Sequence, residues 1–420
     1  MSALRQHLSF PQGTALMLNV VLGAGVLILP GLAVQEAGRL ALAAWIVCGL
    51  AALPLLGVFV ILGRRYPNAG GIPHVAGRAF GRPAYIIGSL LFLGAVAFGL
   101  PAIALTGGHY AASLTGVSPH LAALLLLLAA AALNLLAAEW GSRVSSAISA
   151  LLVVVLVAIA GLAVFGLGDA APAQAALPSF AELDLVFAPF MMIFFAFTGW
   201  EVAANLSEEF RRPRRDFPLA MIASFILACG LYLALAYAVQ RSDLHGAYQA
   251  PFAQIFGDRY GTVGSGAISA MAVILIFANL SAAIWAVSRL IFSLSREGLL
   301  PAALQRTRSG TPRAAAICTV AALVGVLVLE KLEVLQIQEM LALAGQNFLL
   351  LYGFAAAALA AMARGRSDRF LALVAGMLVA ALVVFSGFGL LYPLALGVAG
   401  IVVWMRERRL SSVSASVPAE

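Results

Sequence analysis

The sequence predicts an all-α polytopic membrane protein, on the basis of its composition, the length of its apolar runs and the positions of its charges. Of the 420 residues, 63% are hydrophobic and 10% are charged, and the mean hydropathy is +1.01. Soluble domains average about 25% charged residues, so this chain has too few charges to cover its apolar surface in water. Its apolar runs are continuous and reach the ~20 residues of a spanning helix, whereas a β-barrel would show alternating segments of ~10 residues.

Charges and chain breakers divide the apolar runs into twelve predicted spans. Ten of them lie at about 10–35, 40–63, 83–138 (two spans), 144–168, 185–207, 217–240, 260–288, 314–329 and 340–363. Within 83–138 we expect helix breaks at Gly107-Gly108-His109 and at 115–119. The last run, 370–405, would be ~54 Å long as one helix, against a hydrocarbon core of ~30 Å. A break at 386–389 divides it into two short spans.

The basic residues predict the orientation of these spans. With the N-terminus in the cytoplasm, 21 of the 25 basic residues fall on the cytoplasmic side, as the positive-inside rule requires. The exceptions are Arg39, Arg241, Arg259 and Lys331. Both termini are therefore predicted to be cytoplasmic.

Several classes of protein are excluded by what the chain contains. The basic residues lie in short loops rather than in one stripe or tail, which excludes a nucleic-acid partner. Cys48, Cys229 and Cys318 lie far apart inside apolar runs, where they resemble small hydrophobic residues rather than a metal site. No HExxH, GxSxG or Walker A motif occurs. We therefore expect no enzymatic activity, no metal and no cofactor.

One carboxyl group is predicted at depth in the membrane. Of the 18 acidic residues, Glu201 alone falls within a span, in the segment FFAFTGWE, and no basic residue lies in any span to pair with it. An ionisable residue at depth marks a functional site by default. Glu201 is thus a candidate for gating or coupling, and the alternative is that it holds helices together through hydrogen bonds.

Two spans carry predicted breaks at matching positions. The first contains Gly23-Ala24-Gly25-Val26 followed by Pro30, and the sixth contains Thr198-Gly199. Non-helical backbone at membrane depth is tolerated where it lines a cavity, and a half-helix N-terminus suits a carboxylate. Five spans separate the two breaks, which is the pattern of a LeuT-like five-plus-five inverted repeat with discontinuous helices 1 and 6. The alternative is close helix packing through small residues.

Three further motifs carry a resemblance to a known family. They are YPNAGG at 66–71, EEFRRPRRDFP at 208–218 and REGLLP at 296–301, which follow the second, sixth and eighth spans. In this order the chain resembles the amino acid-polyamine-organocation transporters as far as about Ala363, and within them the bacterial exporters of methionine and branched-chain amino acids. The resemblance implies a multi-pass protein of the bacterial inner membrane. The implied protein has a ten-helix transport core at 1–363 with repeats at about 10–168 and 185–363. Two additional helices follow at 364–410, and a cytoplasmic tail at 411–420.

The resemblance also implies roles for individual residues. The first break matches the backbone that holds a substrate carboxylate, and the second matches the backbone that receives the α-amino group. Phe195 matches an aromatic gate, and Glu201 matches an acidic gating position. A lysine that couples protons in some members has no counterpart in the fifth span, since the only lysine is Lys331. The implied substrate-binding residues are Gly23, Ala24, Gly25, Val26, Phe195, Phe197, Thr198 and Gly199.

The side chains near the breaks favour a zwitterion with an apolar side chain. Met191, Met192, Phe194, Phe195 and Phe197 crowd the sixth span, and neither a second carboxylate nor a basic residue lies at depth. Each buried methylene contributes about 0.8 kcal/mol, so apolar fit alone selects methionine, leucine, isoleucine or valine over alanine.

The expected direction, export, rests on the resemblance, and proton antiport is the simplest driving force for it. Importers and exchangers of the same fold stay open, as does a non-transporting membrane sensor. Lipid is the expected surrounding partner, and the sequence leaves a homodimer open.

Overall fold

The computed structural model describes residues 8–66, 71–136, 154, 156–162, 179, 182–204, 207, 209–307, 312–384 and 387–415. Within these residues all regular structure is helical, and the one β-type contact is a bridge between Leu8 and Phe210. Seven helical stretches are long and apolar enough to cross a membrane by length and composition. The predicted all-α membrane class is therefore confirmed, while the count of twelve spans stays a prediction.

In the first part of the chain, the described residues form seven helices and two 3₁₀ turns. They are α1 (Phe10–Val21), a turn at Ala24–Leu27, α2 (Leu29–Ala37), a turn at Gly38–Leu40, α3 (Ala41–Arg65), α4 (Gly71–Phe80), α5 (Arg82–Thr115), α6 (Pro119–Leu136) and α7 (156–162). Most of the predicted fifth span, 144–168, lies outside the described residues.

In the second part, the residues that the structure describes form nine helices and two 3₁₀ turns. They are α8 (Leu183–Phe187), α9 (Phe190–Ala196), α10 (Trp200–Ala204), α11 (Asp216–Gln240), α12 (Pro251–Arg296), a turn at Ala302–Gln305, α13 (Arg313–Lys331), α14 (Ile337–Ala361), α15 (Arg366–Val384), a turn at Gly387–Leu390 and α16 (Leu391–Ala415). Because α15 and α16 are separate helices, the predicted division of the last apolar run is observed.

Local sequence signals account for many of the helix ends. Proline occupies the first turn of α1, α2, α5 and α12. Its lack of an N–H group costs nothing there, because an N–H group in the first turn has no acceptor within the helix. Gly116 ends α5 in the left-handed conformation, with φ of 71°. Gly261 interrupts α12 with φ of 64°, so the part of α12 after this kink corresponds to the predicted eighth span.

One predicted break does not occur. Helix α5 continues through Gly107 and Gly108, and the chain leaves the helix only at Gly116. A Cβ atom on Gly108 would lie 2.1 Å from the carbonyl oxygen of Pro119, and one on Gly107 would lie 2.7 Å from the side chain of Leu126. These glycines therefore permit close packing of α6 on an intact helix, so the prediction of a break there was wrong.

Two contacts hold the helices that carry the predicted breaks. The backbone of Leu8 accepts a hydrogen bond from Arg211 at 3.0 Å and donates one to Glu209 at 2.9 Å, which joins the start of α1 to the segment after α10. On the other side, a Cβ atom on Gly345 would lie 2.0 Å from the carbonyl oxygen of Met191. Glycine at this position therefore lets the backbone of α14 approach that of α9 closely.

Candidate functional site

The first apolar segment is broken where the sequence predicts. Helix α1 ends at Val21, Gly23 is extended with φ of −75° and ψ of 164°, and a 3₁₀ turn follows at Ala24–Leu27 before α2 begins. A helical turn leaves its first N–H groups without acceptors inside the turn. In this turn the first N–H groups belong to Ala24 and Gly25. They lie at the N-terminal end of the turn, which carries a partial positive charge.

The second break separates α9 from α10. Helix α9 ends at Ala196, and the Thr198 hydroxyl donates a hydrogen bond of 2.8 Å to the Phe195 carbonyl. Gly199 has φ of 102°, a conformation that a side chain would strain. Helix α10 begins at the next residue, Trp200. The Thr-Gly pair thus stops one helix and allows the next to start in a new direction.

A tyrosine of α11 lies between the two breaks. The hydroxyl oxygen of Tyr232 is 3.1 Å from the carbonyl oxygen of Val21 and 2.9 Å from that of Ala196. These two residues are the last of α1 and α9, where carbonyl groups lose their partners within the helix. On the far side of the first break, the Tyr110 hydroxyl donates a hydrogen bond of 2.9 Å to the Leu27 carbonyl. Tyrosine hydroxyls therefore satisfy backbone groups that the breaks expose.

The carboxyl group of Glu201 connects α10 to α14. Its side chain is buried, and the atom Oε2 accepts hydrogen bonds from the Gly199 N–H at 3.0 Å and from the Tyr352 hydroxyl at 2.5 Å. Among the residues that the structure describes, no basic side chain forms an ion pair with Glu201. Through these two hydrogen bonds Glu201 links the backbone of the second break to α14. The role of Glu201 in coupling stays a prediction.

A cavity of about 180 Å³ lies between the two breaks. Its lining includes backbone and carboxyl groups of the two broken segments. It also includes the apolar side chains of Phe92, Val96 and Ile103 of α5 and of Phe348 of α14. The predicted site residues that line the cavity are Gly23, Gly25, Val26, Phe195, Thr198, Gly199 and Glu201.

The Phe195 ring spans part of this cavity. A Cβ atom on Gly99 would lie 2.9 Å from the ring, and the ring centre is 6.3 Å from that of Phe348. The absence of a side chain at Gly99 therefore makes room for Phe195 against α5. This position is compatible with the predicted gate, which stays a prediction.

Phe197 is not part of the cavity lining. The ring of Phe197 is 2% exposed and packs against Trp45 at 6.1 Å and Tyr232 at 5.3 Å between ring centres, which places it toward α3 and α11. Ala24 lies within the 3₁₀ turn at the first break, and its side chain is outside the described part of the structure. The structure thus brings seven of the predicted site residues together around one cavity.

Sequence reasoning missed contributions from distant helices. Asn279 of α12 lines the cavity and makes no hydrogen bond to any residue in the described part of the chain. Tyr232 and Tyr352 hold the breaks, as described above. The sequence signal for these three residues was a single amide or hydroxyl group in the middle of an apolar run. This signal does not identify a site, because many such residues contact only neighbouring helices.

Comparisons with known proteins agree with this architecture. The family model described as "Amino acid permease" matches residues 8–413. The uncharacterized amino acid permease YecA of Bacillus subtilis (strain 168) is 30% identical over 416 residues, covering 94% of this chain and 95% of the relative. The L-methionine/branched-chain amino acid exporter YjeH of Escherichia coli (strain K12) is 32% identical over 422 residues, covering 97% and 98%. The serine/threonine exchanger SteT of B. subtilis is 23% identical over 316 residues, covering 71% and 70%.

Proposed function

Because this chain belongs to the amino acid permease family of multi-pass membrane transporters, we propose that it exports neutral apolar L-amino acids by proton antiport. The proposed substrates are methionine, leucine, isoleucine and valine. The observation that carries this proposal is the cavity between the two helix breaks, whose lining combines polar groups of the breaks with apolar side chains of α5 and α14.

The groups that line the cavity suit the parts of an apolar zwitterion. The amides at the start of the turn Ala24–Leu27 offer hydrogen bonds to a carboxylate. The carbonyl groups at the end of α9 and the Glu201 carboxyl group suit an ammonium. The side chain then lies against Phe92 and Phe348, where burial of each methylene contributes about 0.8 kcal/mol.

The same cavity disfavours charged side chains. Of the described residues that line it, Glu201 alone carries a carboxyl group, and none is basic. Its oxygen Oε2 already accepts two hydrogen bonds. A substrate with a cationic side chain would need a second carboxylate to replace its lost hydration, and one with an anionic side chain would need an arginine or a lysine.

We also propose the remaining features of the transport cycle. Glu201 carries the proton and Phe195 closes over the substrate. The fold has twelve spans with inverted repeats at about 10–168 and 185–363, and both termini face the cytoplasm from the bacterial inner membrane. Support comes from the two discontinuous segments and from the carboxyl group beside the second break. Export is supported by similarity to the exporter from E. coli.

Counterflow in proteoliposomes tests the substrate and the coupling. Vesicles containing the purified protein are loaded with unlabelled leucine or methionine, and entry of labelled leucine is followed with and without a pH gradient. We expect transient accumulation that depends on the trapped amino acid and responds to the gradient. Glu201→Gln should keep counterflow but lose its response to pH, because the variant has no proton to exchange at this position.

Several outcomes would contradict the proposal. Accumulation only with another loaded solute would reject the substrate class. Wild-type counterflow with an unchanged pH response in Glu201→Gln would reject Glu201 as the proton carrier. Direction is tested in cells by comparing efflux and uptake of labelled leucine, and net uptake would identify an importer or exchanger instead.

A further inference from the structure

We infer that the adjoining ends of α3, α4 and α15 bind the phosphate headgroup of an anionic phospholipid. Three side chains form this site: Tyr66, which follows α3, Arg78 of α4 and Arg364, which precedes α15. The guanidinium carbon of Arg78 is 4.9 Å from the centre of the Tyr66 ring, and that of Arg364 is 6.0 Å from it. Both cations thus lie beside one aromatic ring, and an anion bound there would offset the positive charge that they place around it.

The nearest carboxylate is already engaged by other groups. Asp368, which is 2% exposed, accepts hydrogen bonds from both Nη atoms of Arg65 in a bidentate pair. Its atom Oδ2 also accepts the backbone N–H of Arg364 at 3.0 Å. Asp368 therefore holds Arg364 in position without pairing with its guanidinium group.

The two guanidinium groups are otherwise unpaired and open to a ligand. Arg78 and Arg364 are both exposed, and neither forms an ion pair with an acidic residue in the described ranges. Guanidinium groups bind phosphate oxygens through paired N–H donors. Stacking on Tyr66 orients both of them in advance, which reduces the entropy lost on binding.

An apolar surface next to the cluster favours a lipid over a soluble anion. On α15, Phe370, Leu373 and Met377 are 69%, 59% and 56% exposed, and their spacing places them on one side of the helix. They begin within two turns of Arg364 and continue away from it along the helix. A phospholipid can place its phosphate between the arginines and its acyl chains along this surface, whereas inorganic phosphate would use the arginines alone.

The surrounding charge has the sign that such a lipid needs. The segments 64–66 and 364–369 contain Arg64, Arg65, Arg364, Arg366, Arg369 and one acidic residue, Asp368. This end of the helices is the predicted cytoplasmic side, where anionic lipids attract basic clusters next to membrane spans. The inference does not depend on which amino acid the protein carries.

Thermal unfolding with added lipid tests the site. The full-length protein in detergent is titrated with phosphatidylglycerol, phosphatidylcholine or inorganic phosphate, and the midpoint of unfolding is recorded. A ligand of the folded state raises this midpoint by an amount that grows with the logarithm of its concentration relative to its Kd. The variants are Arg78→Gln/Arg364→Gln and, as a matched control, Arg306→Gln/Arg406→Gln. The control removes the same charge from exposed arginines at the same end of the molecule.

We expect phosphatidylglycerol to stabilise the wild type and phosphatidylcholine to have little effect. The double variant at the site should need about tenfold more phosphatidylglycerol for the same shift, because two phosphate contacts are lost. The control should stay within about twofold of the wild type, since it leaves the Tyr66 cluster intact.

Three results would overturn the inference. Equal losses in the two double variants would mean that net charge alone attracts the lipid. Equal stabilisation by inorganic phosphate would assign the arginines to a soluble anion. Should the glutamine variant fail to fold, Arg78→Lys/Arg364→Lys keeps the charge but loses the bidentate geometry, and wild-type lipid affinity in that variant would reject the geometry proposed here.

Discussion

The hydrogen bond between Tyr352 and Glu201 can be measured by mutating both residues separately and together. Tyr352→Phe removes the donor but keeps the ring, which packs at 4.6 Å from Phe59 and 5.9 Å from Phe194 between ring centres. Glu201→Gln removes the ionisable group but keeps an oxygen that can accept from the Tyr352 hydroxyl and the Gly199 N–H. The two changes therefore affect the same contact without creating a cavity.

The structure sets the expected magnitudes. A hydrogen bond to a charged group contributes about 1.5–3 kcal/mol, whereas bonds between helices in membranes average about 0.6 kcal/mol with a maximum of about 1.7. The separation of 2.5 Å and the full burial of Tyr352 place this bond at the upper end of the membrane range, so we expect Tyr352→Phe to cost about 2 kcal/mol. Glu201→Gln should cost about 1 kcal/mol, since a neutral bond survives.

The double variant should then cost about 2 kcal/mol rather than about 3, which gives a coupling energy of about 1 kcal/mol. The free energy of unfolding is measured by titrating the protein in mild detergent micelles with sodium dodecyl sulfate. Tyr392→Phe is the matched control, because its hydroxyl lies 3.4 Å from the Gly94 carbonyl and makes only a weak bond. Its effect should be small and additive with Glu201→Gln. Additive effects of Tyr352→Phe and Glu201→Gln would refute the reasoning.

Three further substitutions test the geometry of the site and its surroundings. Gly345→Ala should destabilise the fold by about 1–3 kcal/mol and remove most counterflow, since a methyl group would push α9 away from α14; wild-type melting and counterflow would contradict this. Tyr232→Phe removes the hydroxyl that lies between the ends of α1 and α9 and donates to a buried carbonyl group there, and it should weaken leucine binding in calorimetry more than tenfold. At Glu182 the Ser179 hydroxyl and amide, together with Arg39, lower the pKa of the carboxyl group to about 2. This depressed pKa keeps the contact with Arg39 intact above pH ~4 and loses it only as pH falls toward 2, so Glu182→Gln should leave the pH profile of transport between pH 5 and 8 unchanged.

Residue type alone was enough to predict the membrane class and much of the helix pattern. The division between α15 and α16 could be predicted because one helix over 370–405 would exceed the hydrocarbon thickness. The positions of both breaks in the site could also be predicted, because glycine adopts conformations that interrupt a helix. In the structure Gly199 has φ of 102° and Gly23 is extended. The glycines Gly107 and Gly108 show where this reasoning fails. Their role depends on the backbone of Pro119, which lies on another helix.

The contents of the cavity could be predicted only in part. Gly23, Gly25, Thr198 and Gly199 surround it because their backbone is where the helices stop. Phe197 lies one residue from Thr198, yet its ring faces the opposite direction. Side-chain direction there depends on how the short segment between α9 and α10 is rotated, and periodicity does not extend across a break.

The sequence by itself determined that this chain is a helical membrane protein with two interrupted segments and one carboxyl group beside the second. These properties follow from the transfer free energies of side chains and from the conformational freedom of glycine, both of which belong to single residues. Only the tertiary structure decided that Tyr232 joins the two breaks, that Tyr352 contacts Glu201 and that Asn279 reaches the cavity. Those contacts depend on the relative rotation and spacing of helices far apart in the chain, which are set by packing over the whole molecule.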